Sequence, residues 1–307
     1  NMITDEQCRE ASQKLMLAIQ SFDQAAIFTI HSFCQRILSD YAFESGLRFE
    51  LELIGDDLSL LQAATDDFWR RNVAMAEKEF VAYLLSKNES PETLLRSIRN
   101  LVGKPYIATI PVELLNINEC LEQIRKQFVH TQTIWLEEQQ AILDTFSNKA
   151  LLNGNKYRAA SVENWLALLA MMMSVEECPV DVFEGFERFS QSVLQSALKK
   201  GQDLPELRFW SACESLKESY QQLELAQESH LQGLRVELLN FLRESLPQQK
   251  RQQQVQSYDD LLINLEQALH GEQGDHLVEK CRQQYQAALI DEFQDTDPIQ
   301  YSSFNRI

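Results

Sequence analysis

Residues 287–298 read AALIDEFQDTDP, an apolar run that ends in two adjacent carboxylates and an acidic turn. Small or apolar residues followed at once by Asp291 and Glu292 are typical of a buried parallel strand, which is covered on both faces. Open α/β sheets bind their ligands at the carboxyl ends of such strands. An isolated acidic pair is usually solvated surface, so the prediction depends on the whole string. It predicts a strand over 287–290 that presents Asp291 and Glu292 at a ligand site.

Two upstream segments extend the pattern. Residues 28–38 read FTIHSFCQRIL, followed by AFESG at 42–46, and residues 256–262 read QSYDDLL. Together with residues 287–298, these segments resemble three motifs of superfamily 1 helicases. Residues 28–38 resemble the Thr-x-His motif, 256–262 resemble the segment before motif II, and 287–298 resemble motif II. The AFESG run and the Asp-Pro pair after motif II are similar to the RecB-like branch of these helicases. Residues 47–255 carry no motif that we match, so there the resemblance rests on its flanks.

The resemblance implies a role for each motif residue. Asp291 is expected to hold Mg²⁺ through water, and Glu292 to act as the general base that positions the hydrolytic water near the γ-phosphate. Gln294 is expected at the same ATP site. Thr29, His31 and Ser32 are expected to contact single-stranded DNA, with hydrogen bonds to its backbone. For His31 the alternative is a histidine that only satisfies its own hydrogen bonds at a strand end.

The family implies an ATP-dependent DNA helicase and exonuclease subunit that acts in the cytoplasm on double-strand breaks. Its expected cofactors are ATP and Mg²⁺, and its expected partners are DNA and RecC- and RecD-like subunits. A UvrD-like or AddA-like helicase remains open, as does a non-catalytic helical interaction module whose acidic strand end is vestigial. Helicase motifs on either side would separate motor from module, and a far C-terminal nuclease motif would exclude the UvrD-like alternative.

A phosphate-binding loop of the form Gly-x-x-x-x-Gly-Lys-Ser/Thr is absent from the sequence. The only Gly-Lys pair, Gly103-Lys104, has Ile98 at the earlier glycine position and Pro105 after the lysine. Glycines let backbone N–H groups approach the phosphates and the lysine neutralises them. The family places this loop before residue 1, and its later motifs and nuclease domain after residue 307. We therefore expect an internal fragment that is inactive by itself.

Composition favours a helical protein, and charge argues against extensive DNA contact. With nine Gly and seven Pro in 307 residues, the chain has few helix-breaking residues, and this favours long helices. Six cysteines without Cys-x-x-Cys spacing predict reduced thiols.

The net charge of −18 opposes phosphate binding, so we expect weak DNA affinity. The candidate basic groups, each more often a solvated helix face, are Arg70 and Arg71, then Arg96, Arg99 and Lys104, then Lys199 and Lys200, and last Arg243, Lys250 and Arg251.

Periodicity and capping residues predict the secondary structure. Leu121, Phe128, Trp135 and Ile142 recur every seven residues and predict one long helix over 118–146. The remaining predicted helices cover 10–21, 32–41, 57–73, a segment from Pro205 to a stop at Pro247, a segment from Ser257 to Gly271, and 275–284. Ser257 and Asp260 have the spacing of a capping box. Short strands are predicted over 25–30 and 287–290.

The predicted fold is mostly α with a partial α/β motor domain. The two short strands are expected side by side in one parallel sheet, because their polar ends must converge on one cleft. By resemblance, residues 1–46 and 256–307 form pieces of a P-loop-type helicase domain 1A. Residues 47–255 form a large all-helical insertion that resembles domain 1B.

Overall fold

The computed structural model describes residues 5–20, 26–42 and 51–307, with side chains from residue 9 onward. Within these ranges the chain is mostly helical. Its helices are α1 (Asp5–Gln20), α2 (Ile30–Asp40), α3 (Leu58–Asn72), α4 (Lys78–Ser86), α5 (Pro91–Val102), α6 (Ile117–Ser147), α7 (Ala159–Met173), α8 (Gln191–Ser196), α9 (Arg208–Gln253), α10 (Tyr258–His270), α11 (Gly274–Gln284) and α12 (Pro298–Arg306). Its strands are β1 (Glu52–Leu53) and β2 (Val255–Gln256), and single 3₁₀ turns cover Phe186–Phe189 and Phe293–Asp295. No helix in the described ranges is both long and apolar enough to cross a bilayer.

The chain divides into two compact units. The first contains the described residues up to Ala64 together with 100–108 and 242–307, and the second contains 65–99 and 109–241. This division does not test the domain boundaries at residues 46 and 255, which stay a prediction.

The second unit has an aromatic core built on the predicted long helix. Phe128, Trp135 and Ile142 of α6 are buried, while Leu121 is half-buried and the neighbouring Ile124 is buried, so three of the four positions at seven-residue spacing belong to the core. Ring contacts extend this core: Trp135 packs on Phe209 with centroids 5.6 Å apart. Burying such rings stabilises the unit, at about 1.5–3 kcal/mol for each fully buried large side chain.

Helix α9 differs from its prediction at both ends. It begins at Arg208 rather than Pro205, and it continues through Pro247 to Gln253. A proline inside a helix removes one backbone hydrogen bond and costs about 3 kcal/mol. Here the buried face continues past the proline: Leu242, Leu246 and Lys250 follow one another at four-residue spacing and are all at most 5% exposed. Packing along this face offsets the lost bond, so Pro247 does not end the helix.

Both predicted strands are wrong in the described residues. Residues 26–29 have no regular structure, Ile30 already belongs to α2, and residue 25 lies outside the described ranges. Residues 287–290 are irregular and Leu289 is fully exposed. A strand requires a neighbour to hydrogen-bond, and in the part of the chain that the structure describes this apolar run has none. The expected parallel sheet between the two segments is therefore not observed.

The parallel pairing that does occur joins β1 and β2. Glu52 pairs with Val255 and Leu53 with Gln256. The Glu52 N–H donates to the Gln254 carbonyl at 2.8 Å, and the Ile54 N–H donates to the Gln256 carbonyl at 2.9 Å. The ladder thus connects the beginning and the end of the long helical block.

The first unit is held together by a core of small and branched apolar side chains from α2, α10, α11 and α12. Its most buried members are Cys34, Ile37, Leu261, Leu265, Leu269, Leu277 and Cys281, each at most 1% exposed. Helix α10 has the predicted capping box of Ser257 and Asp260 and ends at the predicted Gly271. Gly274 permits the tight turn into α11, because a Cβ there would lie 2.1 Å from the Leu269 carbonyl oxygen.

Candidate functional site

The acidic segment forms a tight, solvent-exposed turn. Glu292 has left-handed backbone angles (φ 49°, ψ 38°), which are uncommon for a residue with a side chain. Local hydrogen bonds hold this conformation: the Glu292 N–H donates to the Asp291 carboxylate at 2.9 Å, and the Asp295 N–H donates to the Glu292 carbonyl at 2.9 Å. The Gln294 amide donates to the Glu292 carboxylate. Asp291, Glu292 and Gln294 therefore form one connected group whose carboxylates face water.

Helix α12 attaches this turn to the core of the first unit. Asp297 caps the helix by accepting from the Gln300 N–H at 2.8 Å, while the Gln300 side chain accepts from the Asp297 N–H, and Pro298 occupies the first turn. Ile299, in the next position, is buried in the core cluster. The cap and the buried isoleucine hold the end of the acidic turn against the core. The segment that carries the Asp291 and Glu292 carboxylates is therefore anchored at one end.

The Thr-x-His segment lies at the start of α2. Thr29 caps this helix: its hydroxyl accepts from the Ser32 N–H at 3.2 Å and donates to the Ser32 hydroxyl at 2.9 Å. Thr29 and Ser32 are exposed, while His31 is half-buried. The ring of His31 meets Tyr258 of α10 edge to face, with centroids 5.7 Å apart. The histidine is thus at a helix start and not at the predicted strand end.

Phe33 connects α2 with the segments on both sides of the acidic turn. Its ring contacts Tyr285, which precedes residues 287–290, with centroids 5.6 Å apart. It also contacts Phe304 of α12 at 6.2 Å. The three motif segments therefore share one helical core. Among the described contacts, none joins Thr29 or His31 directly to Asp291 or Glu292.

The carboxylates suit a hard cation only in part. Carboxylate oxygens are the ligands that Mg²⁺ prefers, usually one or two of them with substrate phosphates and water. Asp291 and Glu292 meet that requirement and are accessible. Within the described ranges no group of three or more His, Cys, Asp or Glu side chains could hold a metal ion. The residues fit a site that shares its cation with a nucleotide and do not fit an all-protein metal cage.

Two of the candidate basic residues serve the fold and do not form a DNA surface. Arg243 donates to the backbone carbonyls of Leu101, Lys104 and Ile107 at 2.8–3.1 Å. Lys250 is buried in ion pairs with Asp57 and Asp260, each at 2.7 Å. Lys250 is therefore neither a phosphate contact nor a solvated helix face, and Arg243 is engaged with backbone carbonyls, whereas Arg251 is exposed. The capping spacing of Ser257 and Asp260 is the one sequence feature that points to the Lys250 pairs.

Burial sets the chemistry of the core thiols. It raises the pKa of Cys34 to about 12 and the pKa of Cys281 to about 11, from an ordinary value of 9.0. Cys213 is fully buried and its pKa is also raised well above the ordinary value. These thiols stay protonated near neutral pH, so they are core residues and not nucleophiles.

Comparison with known proteins places these motifs in a family. The model of the UvrD/REP helicase N-terminal domain matches residues 3–307. The RecBCD enzyme subunit RecB of Escherichia coli K12 is 33% identical over 304 residues, which cover 97% of this chain and 25% of that protein. The subunit of the same name from Haemophilus influenzae is 30% identical over 97% of this chain and 26% of its own length. The chain spans about a quarter of the length of these relatives.

Proposed function

The chain belongs to the UvrD/REP helicase family, and we propose that it is part of a RecB-like, ATP-dependent DNA helicase and exonuclease subunit. The observation that carries the proposal is the connected group Asp291, Glu292 and Gln294 on a turn attached to the same core as the Thr-x-His helix. The name of the similar relatives, RecBCD enzyme subunit RecB, supports the RecB-like branch over a UvrD-like or AddA-like one.

In this proposal the acidic turn is the hydrolytic part of an ATP site. Asp291 would hold Mg²⁺, which when bound would supply positive charge beside the phosphates. Glu292 accepts a proton from the attacking water. Its hydrogen bond from Gln294 supports the assignment, because a general base must be held in one orientation to act. Gln294, which donates to Glu292, would belong to the same ATP site.

The start of α2 is the proposed contact with single-stranded DNA. Thr29 and Ser32 expose hydroxyl groups beside the first N–H groups of the helix, and such groups bind phosphates. His31, half-buried beside them, would add a hydrogen bond to the strand. Phe33, one turn into α2, contacts Tyr285 and Phe304 on both sides of the acidic turn, which supports communication between DNA and ATP.

We also propose the domain assignment and the partners. Residues 1–46 and 256–307 belong to helicase domain 1A, and 47–255 form a helical insertion equivalent to domain 1B. The β1–β2 ladder supports this, because it joins the ends of the inserted block. The whole protein would act on DNA ends during double-strand break repair in the cytoplasm, with RecC- and RecD-like subunits. Its nuclease activity would reside outside these residues.

Replacing Glu292 by Gln in the full-length protein tests the ATP site. We expect DNA-stimulated ATP hydrolysis to fall by about 10²–10⁴-fold, the usual contribution of a general base. ATP and DNA binding should persist, because Asp291 still supports the cation and the amide keeps the side-chain shape. Glu272→Gln removes the same charge from an exposed glutamate and serves as the control. Equal hydrolysis by wild type and Glu292→Gln would refute the catalytic role and favour the helical interaction module.

A further inference from the structure

A buried ionic group lies where α9 ends and α10 begins. We call Lys250, Asp57, Ser257 and Asp260 the Lys250 cluster. The Lys250 side chain is only 6% exposed, and its ammonium lies 2.7 Å from a carboxylate oxygen of Asp57 and 2.7 Å from one of Asp260. It also donates to the Ser257 hydroxyl at 2.9 Å. All three ammonium hydrogens therefore have an acceptor.

The Lys250 cluster determines where α10 starts. The Asp260 carboxylate accepts from both the N–H of Ser257 at 2.7 Å and its hydroxyl at 2.9 Å. Asp57 joins the cluster from the segment between β1 and α3. A buried ammonium left without a partner is costly, so Lys250, the two carboxylates and the helix cap are energetically coupled. The first residue of α10 is consequently held in place.

That first residue is Tyr258, and it meets the histidine of the Thr-x-His motif. The Tyr258 and His31 rings contact edge to face at 5.7 Å, a geometry that aromatic pairs favour. Tyr258 is 46% exposed, so its ring lies against His31 without being part of the core. The position of the histidine ring thus depends on the start of α10, which the Lys250 cluster holds.

We propose that Lys250 and Tyr258 are positioning residues that set the orientation of His31 for single-stranded DNA. Lys250, which the sequence offers as a phosphate contact, acts on DNA only through the α10 cap and the Tyr258 ring. The inference rests on the proposed function of His31 as a DNA-binding residue.

The test measures how tightly the full-length protein and its variants bind a fluorescein-labelled oligothymidylate by anisotropy. Tyr258→Ala and Lys250→Met should each weaken binding about two- to tenfold, which corresponds to the loss of one aromatic contact. Tyr258→Phe, which keeps the ring, should bind like wild type. Basal ATP hydrolysis without DNA should stay unchanged in Tyr258→Ala, while the DNA concentration for half-maximal stimulation should rise in both variants. Tyr106→Ala, an exposed tyrosine of the same unit, is the control.

Combination with His31→Ala decides between the possible results. In that background, Lys250→Met and Tyr258→Ala should cause no further loss of affinity, because their effect passes through the histidine. A further loss in the double variants would overturn the inference, since it would indicate general damage. Wild-type affinity of both single variants beside a weakened His31→Ala would also overturn it. If His31→Ala itself bound like wild type, the proposed DNA role of His31 would fail first. Tyr258→Ala keeps the test valid if Lys250→Met does not fold.

Discussion

Replacing Lys250 by Met should destabilise the first unit far more than replacing Asp57 by Asn. Removing one partner of a buried ion pair costs about 3–5 kcal/mol, because the other charge stays buried and unpaired. The Asp57 and Asp260 side chains are 21% and 25% exposed, so water reaches them. We therefore expect about 3 kcal/mol, the lower end of that range, for Lys250→Met.

Asp57→Asn should cost less because the Lys250 cluster has one positive and two negative charges. The lysine keeps Asp260, and removing Asp57 relieves repulsion between the two carboxylates. The net loss is expected to be about 1 kcal/mol, the value of an ordinary hydrogen bond. For the same reason Lys250→Met combined with Asp57→Asn should be more stable than Lys250→Met alone.

Hydrogen exchange followed by mass spectrometry measures these differences locally. Amides of α10 should lose protection by the stated free energies, while peptides from α6, in the second unit, serve as an internal reference. Arg251→Met is the matched control, since Arg251 is the exposed neighbour of Lys250 and should change protection by less than about 0.5 kcal/mol. Equal protection of α10 in Lys250→Met and Arg251→Met would refute the reasoning.

Three further predictions can be checked separately. His31→Ala in the full-length protein should weaken binding of single-stranded DNA about ten- to a hundredfold, as expected for one hydrogen bond to a phosphate; unchanged affinity with a lower melting temperature would make the histidine structural. The 307-residue chain alone should show no DNA-stimulated ATP turnover in a phosphate-release assay, because its sequence has no phosphate-binding loop; turnover abolished by Glu292→Gln would contradict this. Burial raises the pKa of Cys34 and Cys281 to about 12 and about 11, so the folded state holds these protons more tightly than the unfolded state does. The stability that the two thiols contribute is therefore complete below about pH 9 and falls as the pH rises toward those values. Between about pH 8 and about pH 10, denaturant unfolding should show a smaller loss of stability for the double variant Cys34→Ala, Cys281→Ala than for wild type.

The helices were predictable because their signals are local. The seven-residue spacing of Phe128, Trp135 and Ile142 and the caps at Ser257 and Gly271 each act within a few turns. The sequence predicts a stop at Pro247, but the local cost of the proline is outweighed by packing of Leu246 and Lys250, which the sequence does not display. The strands were wrong for the same kind of reason. A strand over 287–290 depends on a neighbouring strand, which no property of Leu289 or Ile290 can supply.

The sequence identifies the residues of the candidate site, but it does not identify the contacts between them. The motif strings identify Asp291, Glu292 and Gln294, and the structure connects them in one turn. The ring contact between His31 and Tyr258 joins residues more than two hundred positions apart, and no spacing rule predicts it. By its charge alone Lys250 is a candidate phosphate contact, although its two half-buried acidic partners determine what it does.

The β1–β2 ladder has a consequence for how proteins of this kind can vary. The chain leaves and returns at neighbouring strands, so the gap to be bridged is one strand spacing, about 4.8 Å, whatever the number of residues between. The entropy of closing a loop grows only with the logarithm of its length, at about 0.6 kcal/mol for each doubling. Length changes in the block between Ile54 and Gln254 are therefore expected to cost little wherever they spare Asp57 and Lys250, which pair with each other, and both ends would remain anchored in the same register.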